Sequence, residues 1–490
     1  TPKLTSLAAP RGGAPRPSGG RAGAATMLKI IFLLLMASGL PVAIAMAGSS
    51  LIYILVSGNQ PALTVVHRMI GGIDSFPLLA VPFFILAGNL MNNAGITNRI
   101  YNFALALVGW LKGGLGHVNV VGSVIFAGMS GTAIADAAGL GTIEIKAMKD
   151  HGYATEFAVG VTAASATLGP IIPPSLPFVI YAMMANVSVG ALFLAGILPG
   201  VMMALLMMIT VAYFAHKNGW GGDIKFSGSR FGKALIELAV VVGWPLAVWG
   251  LVQAGMQPQF TVAVALVVLF AADRYFGFQA VLPIMTPVLL IGGMTTGLFT
   301  PTEGAIAACV WSMVLGLAWY RTMSWKMFVK VCLDTVETTA TVMFIVAAAS
   351  IFGWMLTATG VTAQIAAWVL AVTKEPWLFL LMANLLMLFV GCFLEPTAAI
   401  TILVPILLPI ARQLGVDPVH FGLIMVLNLM IGLLHPPMGM VLFVLARVAK
   451  LSVERTTMAI LPWLVPLLGS LIVLTYVPSI SMWLPRMMGL

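Results

Sequence analysis

The amino-acid sequence predicts an all-α, polytopic membrane protein, and composition is the first observation behind that prediction. Of the 490 residues, 60% are hydrophobic and only 8% are charged, and the mean hydropathy is +1.06. Because a soluble domain cannot bury that much apolar surface, the bilayer must solvate most of the chain. The apolar runs are also much longer than the roughly ten alternating residues of a membrane barrel strand, which excludes that class.

The second observation is that two apolar segments are interrupted where a spanning helix should be continuous. Ser130-Gly131-Thr132 ends one segment, and residues 169–174 (GPIIPP) lie in the middle of the next. In hydrocarbon an unpaired backbone group costs several kcal/mol, so such breaks persist only inside protein or along a wet cavity. Breaks of this kind indicate an ion or substrate site.

The third observation is that the chain repeats both interruptions. Residues 394–397 (LEPT) correspond to the first, and residues 432–437 (GLLHPP) correspond to the second. Thr132 and Thr397 are separated by 265 residues, as are Gly95 and Gly360. Pro173 and Pro436, further on, are separated by 263. A nearly constant offset predicts two structural repeats, which are typical of secondary transporters.

Taken in order, the chain divides into a tail, two repeats and a linking region. Residues 1–26 are rich in Pro, Gly, Ala and Arg and are interpreted as a disordered tail, a fusion linker or a cloning remnant. Residues 27–220 form repeat 1 and residues 298–485 form repeat 2. The linking loop and helices occupy residues 221–297.

Inside each repeat we predict a re-entrant hairpin followed by a broken helix. In repeat 1 these are residues 117–150 and 155–185, and in repeat 2 they are residues 377–413 and 418–448. The arms of the first hairpin are shorter than the roughly 20 residues that a crossing needs.

Two stretches near the start of the chain are predicted to cross the membrane once each. Leu28–Ser57 is interpreted as one crossing interrupted at Gly39, and Phe76–Leu111 as one crossing made of two pieces. The total comes to about eleven crossings plus the two hairpins.

The distribution of positive charge orients the repeats. Lys146, Lys149, the 217–233 loop, Arg274 and residues 321–330 are assigned to the cytoplasm by the positive-inside rule. Following the crossings then opens the two hairpins to opposite sides of the membrane and places the N-terminus in the cytoplasm. The repeats are therefore predicted to be inverted. The net charge of +9 fits these basic loops, and we expect no nucleic-acid partner.

The half-helices that end at a break expose carbonyl groups, the negative end of the helix dipole. Carbonyl and hydroxyl oxygens suit a small hard cation such as Na⁺. We therefore predict one sodium site at each tip, with these candidate ligands: Ser130, Gly131, Thr132 and Gly169 in repeat 1, and Glu395, Pro396, Thr397 and Gly432 in repeat 2.

The half-helices that begin after a break expose N–H groups, which suit an anion such as a carboxylate. Proline is compatible with their first turn because its missing N–H would be unpaired there. The candidate substrate-binding residues are Thr132, Asp136, Pro173, Pro174, Ser175, Thr397, His435, Pro436 and Pro437.

Simpler roles for the polar residues stay open. The hydroxyl groups could serve only as helix caps, but their repetition in two halves favours binding sites. For Asp136, Glu395 and Glu303 we retain ion coordination, a structural pair and a capping carboxylate as alternatives. His435 could contact an anion or respond to protonation, or it could be a hydrogen-bonded packing residue.

Motifs of enzymes and of metal sites are absent from the sequence. It contains no HExxH, no GxxxxGK phosphate loop and no CxxC pair. We expect no enzymatic activity and no cofactor. The transport energy should come from an ion gradient, with Na⁺ as the coupling ion.

Five motifs resemble those of the large membrane subunit of tripartite ATP-independent periplasmic (TRAP) transporters. They are residues 83–88 (FFILAG), 128–133 (GMSGTA), 169–175 (GPIIPPS), 299–303 (FTPTE) and 394–397 (LEPT). The resemblance covers about Met27 to Leu484. It implies an inner-membrane permease of bacteria or archaea that is driven by Na⁺ and moves its transport domain like an elevator.

The same resemblance implies partners and a class of substrate. The partners are a small four-helix membrane subunit and a periplasmic substrate-binding protein. The substrates are organic acids such as C4-dicarboxylates, sialic acids or keto acids. Two alternatives stay open: a stand-alone divalent-anion/sodium symporter with similar paired hairpins, and a membrane scaffold or channel without coupled transport.

Overall fold

The fold is helical throughout the part of the chain that the structure describes. This computed structural model describes residues 18–58, 60–278, 280–295, 299–435 and 439–489, and within them no β-strand forms. The prediction of an all-α membrane protein is confirmed. The predicted roles of Pro436 and Pro437, and residues 1–17 of the tail, lie outside the described residues.

The helices are numbered in chain order. They are α1 Ser18–Ala37, α2 Val42–Ser57, α3 Leu63–Ile73, α4 Ala80–Asn93, α5 Ile96–Val108, α6 Gly114–Ser130, α7 Ala133–Ala138, α8 Leu140–Asp150, α9 Thr155–Ala166, α10 Leu176–Ala185, α11 Val189–Asn218, α12 Gly228–Gln253, α13 Pro258–Phe276, α14 Val281–Thr295, α15 Pro301–Met313, α16 Trp325–Ala358, α17 Val361–Val372, α18 Pro376–Gly391, α19 Pro396–Gln413, α20 Pro418–Gly432, α21 Met440–Ala449, α22 Val453–Tyr476 and α23 Pro478–Met487. A 3₁₀ turn, Phe76–Leu79, precedes α4, and a π-helical segment, Val314–Trp319, continues α15.

The start of the chain differs from the sequence prediction. Helix α1 begins at Ser18, inside the segment that was left out of the fold. Leu28–Ser57 is not one interrupted crossing, because α1 and α2 pack side by side. A Cβ atom at Gly48 of α2 would lie 3.5 Å from the side chain of Leu35 in α1. Gly39, with φ of +81°, allows the chain to reverse direction between the two helices.

Residues 76–94 run alongside α15 over its full length. The Thr302 hydroxyl donates to the carbonyl of Phe76 (3.2 Å), and the Thr322 hydroxyl donates to the carbonyl of Ala94 (2.7 Å). Because α15 with its π-helical segment is long and apolar enough to cross a membrane, residues 76–94 match a whole crossing. The prediction that Phe76–Leu111 makes one crossing in two pieces is therefore wrong, and α5 is a separate helix.

Six helices within the described residues are long and apolar enough to span a bilayer by themselves. They are Val189–Asn218, Gly228–Val248, Pro301–Trp319, Trp325–Ala358, Pro396–Gln413 and Val453–Tyr476. The remaining apolar helices are shorter, as expected for hairpin arms and broken helices. The total of eleven crossings stays a prediction.

The order of the elements repeats with the offsets that the sequence predicts. Helices α5 and α17 begin 265 residues apart, and helices α9 and α20 begin 263 apart. Left-handed glycines recur as well, since Gly95 and Gly360 have φ of +68° and +78°. The repeat is therefore visible in backbone conformation, whereas the inverted orientation of the repeats stays a prediction.

Each repeat packs its second half-helix against the hairpin of the other repeat. Helix α10 of repeat 1 lies against α19, and α21 of repeat 2 lies against α7. The Arg412 guanidinium of α19 donates to the carbonyl of Ala185 (2.7 Å). The phenol of Tyr181 in α10 donates to the carbonyl of Pro418 (2.6 Å). Hairpins and breaks of both repeats thus form one packed body.

Candidate functional site

The tip of the first hairpin is a sharp reversal between α6 and α7. Gly131 adopts the left-handed conformation, with φ of +63°, which glycine tolerates better than any other residue. Thr132 is the N-cap of α7, and its hydroxyl oxygen accepts the N–H of Ala135 (3.3 Å). Ser130, the last residue of α6, contributes backbone to the tip. The capping role therefore exists, and it uses only one of the hydroxyl's lone pairs.

The first helix break lies directly against this tip. A Cβ atom at Gly131 would lie 2.7 Å from the carbonyl oxygen of Pro174, and one at Gly169 would lie 3.2 Å from that of Thr132. The N–H of Leu176 points to the carbonyl of Gly131 (3.5 Å). The structure thus brings the predicted sodium ligands of repeat 1 together, with carbonyl groups from both tip and break at one place.

Ser175 begins the second half of the broken helix. Its side chain is fully buried, accepts the N–H of Phe178 (3.2 Å) and donates to the carbonyl of Pro170 (2.5 Å). It therefore closes the break between Pro170 and α10. The Pro173–Pro174 peptide bond inside this break is cis.

The tip of the second hairpin is capped by a carboxylate instead of a hydroxyl. Glu395 is the N-cap of α19, and its side chain accepts the N–H of Ala398 (3.2 Å). The Thr397 hydroxyl donates to the other carboxylate oxygen (2.8 Å). Pro396 occupies the first helical position. Among the three roles left open for Glu395, the structure shows the cap. Glu303 likewise forms a capping box with Thr300 at the start of α15.

The second break also lies against its own hairpin. A Cβ atom at Gly432 would lie 2.7 Å from the Cα atom of Gly391, so the two backbones touch. The ring of His435 hydrogen-bonds the carbonyl of Ile431 (3.0 Å) within the break. That contact fits the packing role left open for this residue. Each tip therefore meets its own break, once in each repeat.

Asp136 lies one turn beyond Thr132 and is almost completely buried, with 1% of its surface exposed. Neither of its carboxylate oxygens has a hydrogen-bond partner within the described residues. Glu144, on the next helix of the hairpin, is also buried, and its Oε1 atom has no partner there either. Two buried carboxyl groups of the same hairpin therefore keep acceptor atoms free.

The sequence analysis missed a buried polar network that starts at Glu144. The Asn119 amide donates to the Glu144 carboxylate (2.6 Å) and to the Thr162 hydroxyl (2.7 Å). The Ser165 hydroxyl donates to the Asn119 carbonyl oxygen (2.7 Å), and Ser123 donates to Ser165 (3.1 Å). The network joins α6, α8 and α9, which fixes the first hairpin to its broken helix.

Repeat 2 contains a counterpart of this network at the same offsets. Asn384 stands 265 residues after Asn119, and Asn428 stands 263 residues after Ser165. The Asn428 amide donates to the Asn384 carbonyl oxygen (2.6 Å), and Asn384 donates to Thr475 (3.0 Å). The repeat offset therefore contained the signal that could have found both asparagines.

The open end of the first hairpin is held by the loop that follows α11. One Asp223 carboxylate oxygen accepts the N–H of Leu115 (2.7 Å) and the phenol of Tyr153 (2.6 Å). Burial and this bond to the carboxylate raise the pKa of Tyr153, so the phenol stays a donor. Within the described residues no group of three or more His, Cys, Asp or Glu could hold a metal ion. An ion at the tips would depend on carbonyl and hydroxyl oxygens.

Paired helix breaks opposite paired hairpin tips, in an apolar helical body, define a polytopic membrane transporter. Two solved transporter structures share the fold. The YdaH transporter of Alcanivorax borkumensis superposes with a TM-score of 0.55 at 15% identity, over 86% of this chain and 88% of that one. MtrF of Neisseria gonorrhoeae superposes with a TM-score of 0.50 at 13% identity, over 94% and 95%. These likenesses support the fold alone.

Sequence comparison identifies the family. Residues 29–480 match the family described as tripartite ATP-independent periplasmic transporter, DctM component. The sialic acid TRAP transporter large permease protein SiaM of Vibrio cholerae is 40% identical over 92% of this chain and 96% of its own length. The permease protein SiaT of Haemophilus influenzae, named for sialic acid, is 37% identical over 94% and 68%.

A relative named for a different substrate is also similar. The C4-dicarboxylate TRAP transporter large permease protein DctM of Rhodobacter capsulatus is 32% identical over 94% of this chain and 98% of its own length. The chain belongs to the DctM family of TRAP transporter large permease proteins. Its relatives are named as permeases, which confirms that it is not an enzyme.

Proposed function

We propose that this chain is the transport subunit of a Na⁺-coupled importer of organic acids in a bacterial inner membrane, with its N-terminus in the cytoplasm. The observation that carries the proposal is the contact of each hairpin tip with its own helix break, made once in each repeat. Gly131 touches Pro174 in repeat 1, and Gly391 touches Gly432 in repeat 2. Two such junctions supply two sets of half-helix ends, as expected for a coupled transporter.

The sodium sites are assigned to the two junctions. In repeat 1 the ligands are backbone and hydroxyl oxygens of Ser130, Gly131, Thr132 and Gly169. In repeat 2 they are oxygens of Glu395, Pro396, Thr397 and Gly432. The free lone pairs of the capping hydroxyls and the tightly apposed backbones support this assignment.

The substrate site is assigned between the junctions, where four half-helices begin. Helices α7, α10, α19 and α21 start at Ala133, Leu176, Pro396 and Met440. Their N-termini carry the positive end of the helix dipole, which favours a carboxylate. Because two similar relatives are named for sialic acid, we propose a sialic acid as the first substrate to test and a C4-dicarboxylate as the second.

The partners follow from the tripartite description of the family. We propose a small four-helix membrane subunit and a periplasmic substrate-binding protein. The hairpins and breaks would move together as an elevator, because separating a tip from its break would expose unpaired backbone to lipid.

Uptake into liposomes tests the proposal. The chain, the small subunit and the binding protein encoded beside it are reconstituted together, and labelled sialic acid or succinate is added with or without an inward Na⁺ gradient. We expect accumulation only with the gradient and only with all three components. Liposomes without this chain serve as the control.

Two other results would change the assignment. Uptake that persists without the binding protein would favour the stand-alone symporter, and uptake that does not respond to Na⁺ would reject Na⁺ coupling. Accumulation of neither acid, with Na⁺ binding intact, would reject the proposed substrate class.

A further inference from the structure

A basic pocket lies away from both hairpins and both breaks. Its volume is about 740 Å³, and it opens where α13 and α15 end and α5 begins. Its polar side chains, which we call the arginine pocket, are Arg99, Asp273, Arg274, Trp319, Tyr320 and Arg321. Ends of membrane helices lie near the boundary between hydrocarbon and water, which is the level of lipid headgroups.

The charge of the arginine pocket suits an anion. Three guanidinium groups face one carboxylate, which leaves the lining with a formal charge of +2. Arg99 lies over the ring of Tyr320, with 3.9 Å between its Cζ atom and the ring centroid. Asp273 accepts the indole N–H of Trp319 (2.9 Å). These contacts hold the inner wall of the pocket in place.

The two remaining arginines are available to a ligand. Arg274 and Arg321 are exposed, and neither makes a hydrogen bond or an ion pair within the described residues. Guanidinium groups bind phosphate oxygens in pairs of parallel hydrogen bonds. Two of them at one pocket mouth therefore form a phosphate clamp.

Aromatic and apolar surfaces adjoin the same pocket mouth. Tyr275 is 84% exposed, and Phe276 stacks on Phe278 with ring centroids 5.4 Å apart. Along α13 the side chains of Val267 and Val268 are also exposed. Aromatic residues at a helix end followed by an apolar helix face are typical of contact with a lipid headgroup and its acyl chains. Free phosphate would not use these surfaces.

We propose that the arginine pocket binds the headgroup of an anionic phospholipid. Arg274 and Arg321 clamp the phosphodiester, Tyr275 and Phe276 lie at the glycerol level, and the acyl chains follow the exposed face of α13. Basic pockets between membrane helices bind anionic headgroups in this way. This site is independent of the proposed transport function, because none of these residues belongs to a tip or a break.

The test uses the full chain, purified in detergent and freed of native lipid. Dioleoyl phosphatidylglycerol or dioleoyl phosphatidylcholine is titrated, and bound lipid is measured by native mass spectrometry and by the thermal unfolding temperature. Arg274→Gln combined with Arg321→Gln should weaken phosphatidylglycerol binding by about tenfold or more, as expected for two basic side chains at an anionic headgroup. The control pair, Arg447→Gln with Arg455→Gln, removes the same charge from exposed positions elsewhere and should leave binding unchanged.

Three outcomes would overturn the proposal. They are equal weakening by both pairs, equal affinity for the two lipids, and inorganic phosphate that binds with the same dependence on Arg274 and Arg321 as the lipid does. If the double variant does not fold, Arg274→Gln alone decides by the same comparison, because its side chain is exposed and makes no contact that the fold needs.

Discussion

At the scale of single residues, the tips combine structural caps with unused acceptor capacity. Thr132 accepts one backbone N–H, and Thr397 donates its proton to Glu395. A hydroxyl oxygen has two lone pairs, so each can also face an ion. Capping and ion binding are therefore compatible roles for the same side chain.

Thr397→Val tests the second sodium site, because valine keeps the volume and removes the oxygen. We expect the apparent affinity for Na⁺ in uptake to fall by about tenfold or more, the order lost when a hydrogen-bonded group of an ion site is removed. Thr401→Val, one turn further along α19, removes a buried hydroxyl that donates only to the carbonyl of Ala398. It should leave the Na⁺ dependence unchanged. Unchanged Na⁺ dependence in both Thr132→Val and Thr397→Val would reject ion binding at the tips.

The two asparagines of the buried networks should matter for stability. Asn119→Leu leaves the Glu144 carboxylate and the Thr162 hydroxyl without their donor, and Asn384→Leu removes the acceptor of Asn428. Each buried group left without a partner costs about 1–3 kcal/mol. The unfolding temperature in detergent should fall for both variants. The control Asn218→Leu, at the exposed end of α11, should change it little. Equal stability of all three variants would contradict the networks.

At the scale of elements, the junctions depend on close contact between backbones. Gly432→Ala places a methyl group within 2.7 Å of Gly391, and overpacking of this kind costs about 1–3 kcal/mol. We expect uptake to be lost or strongly reduced and the unfolding temperature to fall. At Gly469, a helical glycine of α22, a Cβ atom would meet nothing within 4 Å.

Gly469→Ala therefore serves as the matched control. It should keep uptake and fold normally, because alanine favours a helix over glycine. Normal uptake by the Gly432→Ala variant would mean that the second break does not need the close approach that the structure shows.

The sequence predicted these elements well where the signal was local. Glycine and proline mark the breaks at residues 169–174, and the repeat offset located the second set. It failed at Gly39, because one interruption fits a kinked crossing or a tight reversal, and only the packing of α1 on α2 decides between them. The Asn119 network was missed for a similar reason. It joins residues from three helices, and no period along one helix reveals such a meeting.

At the scale of the whole molecule, the inverted arrangement is still a prediction, and it can be tested by labelling. Lys149 and Gln413 are exposed ends of the two hairpins. Single cysteines at these positions, in a background without the three natural cysteines, should react with a membrane-impermeant maleimide from opposite faces. We expect Lys149→Cys to be labelled from the cytoplasm. Labelling of both from one side would contradict the inverted repeats.

The elevator mechanism requires residues 117–185 and 377–448 to move as one body against the rest of the chain. Two aromatic pairs of similar geometry distinguish motion of the body from motion inside it. Phe157 of the body faces Trp463 of α22, which we assign to the scaffold, with ring centroids 5.8 Å apart. Phe379 and Phe421 both belong to the body, with centroids 6.1 Å apart.

Replacing each pair by two cysteines and bridging them with a short bifunctional reagent should give opposite results in reconstituted uptake. The Phe157–Trp463 bridge ties the body to the scaffold and should stop uptake, and reversal of the bridge should restore it. The Phe379–Phe421 bridge should leave uptake intact, because the tips must stay with their breaks to keep unpaired backbone out of lipid. If the second bridge blocks uptake and the first is tolerated, the tips open locally and the body does not move as a unit. Coupling would then have to arise from gating at the tips instead of from an anion that binds the Na⁺-loaded body more tightly.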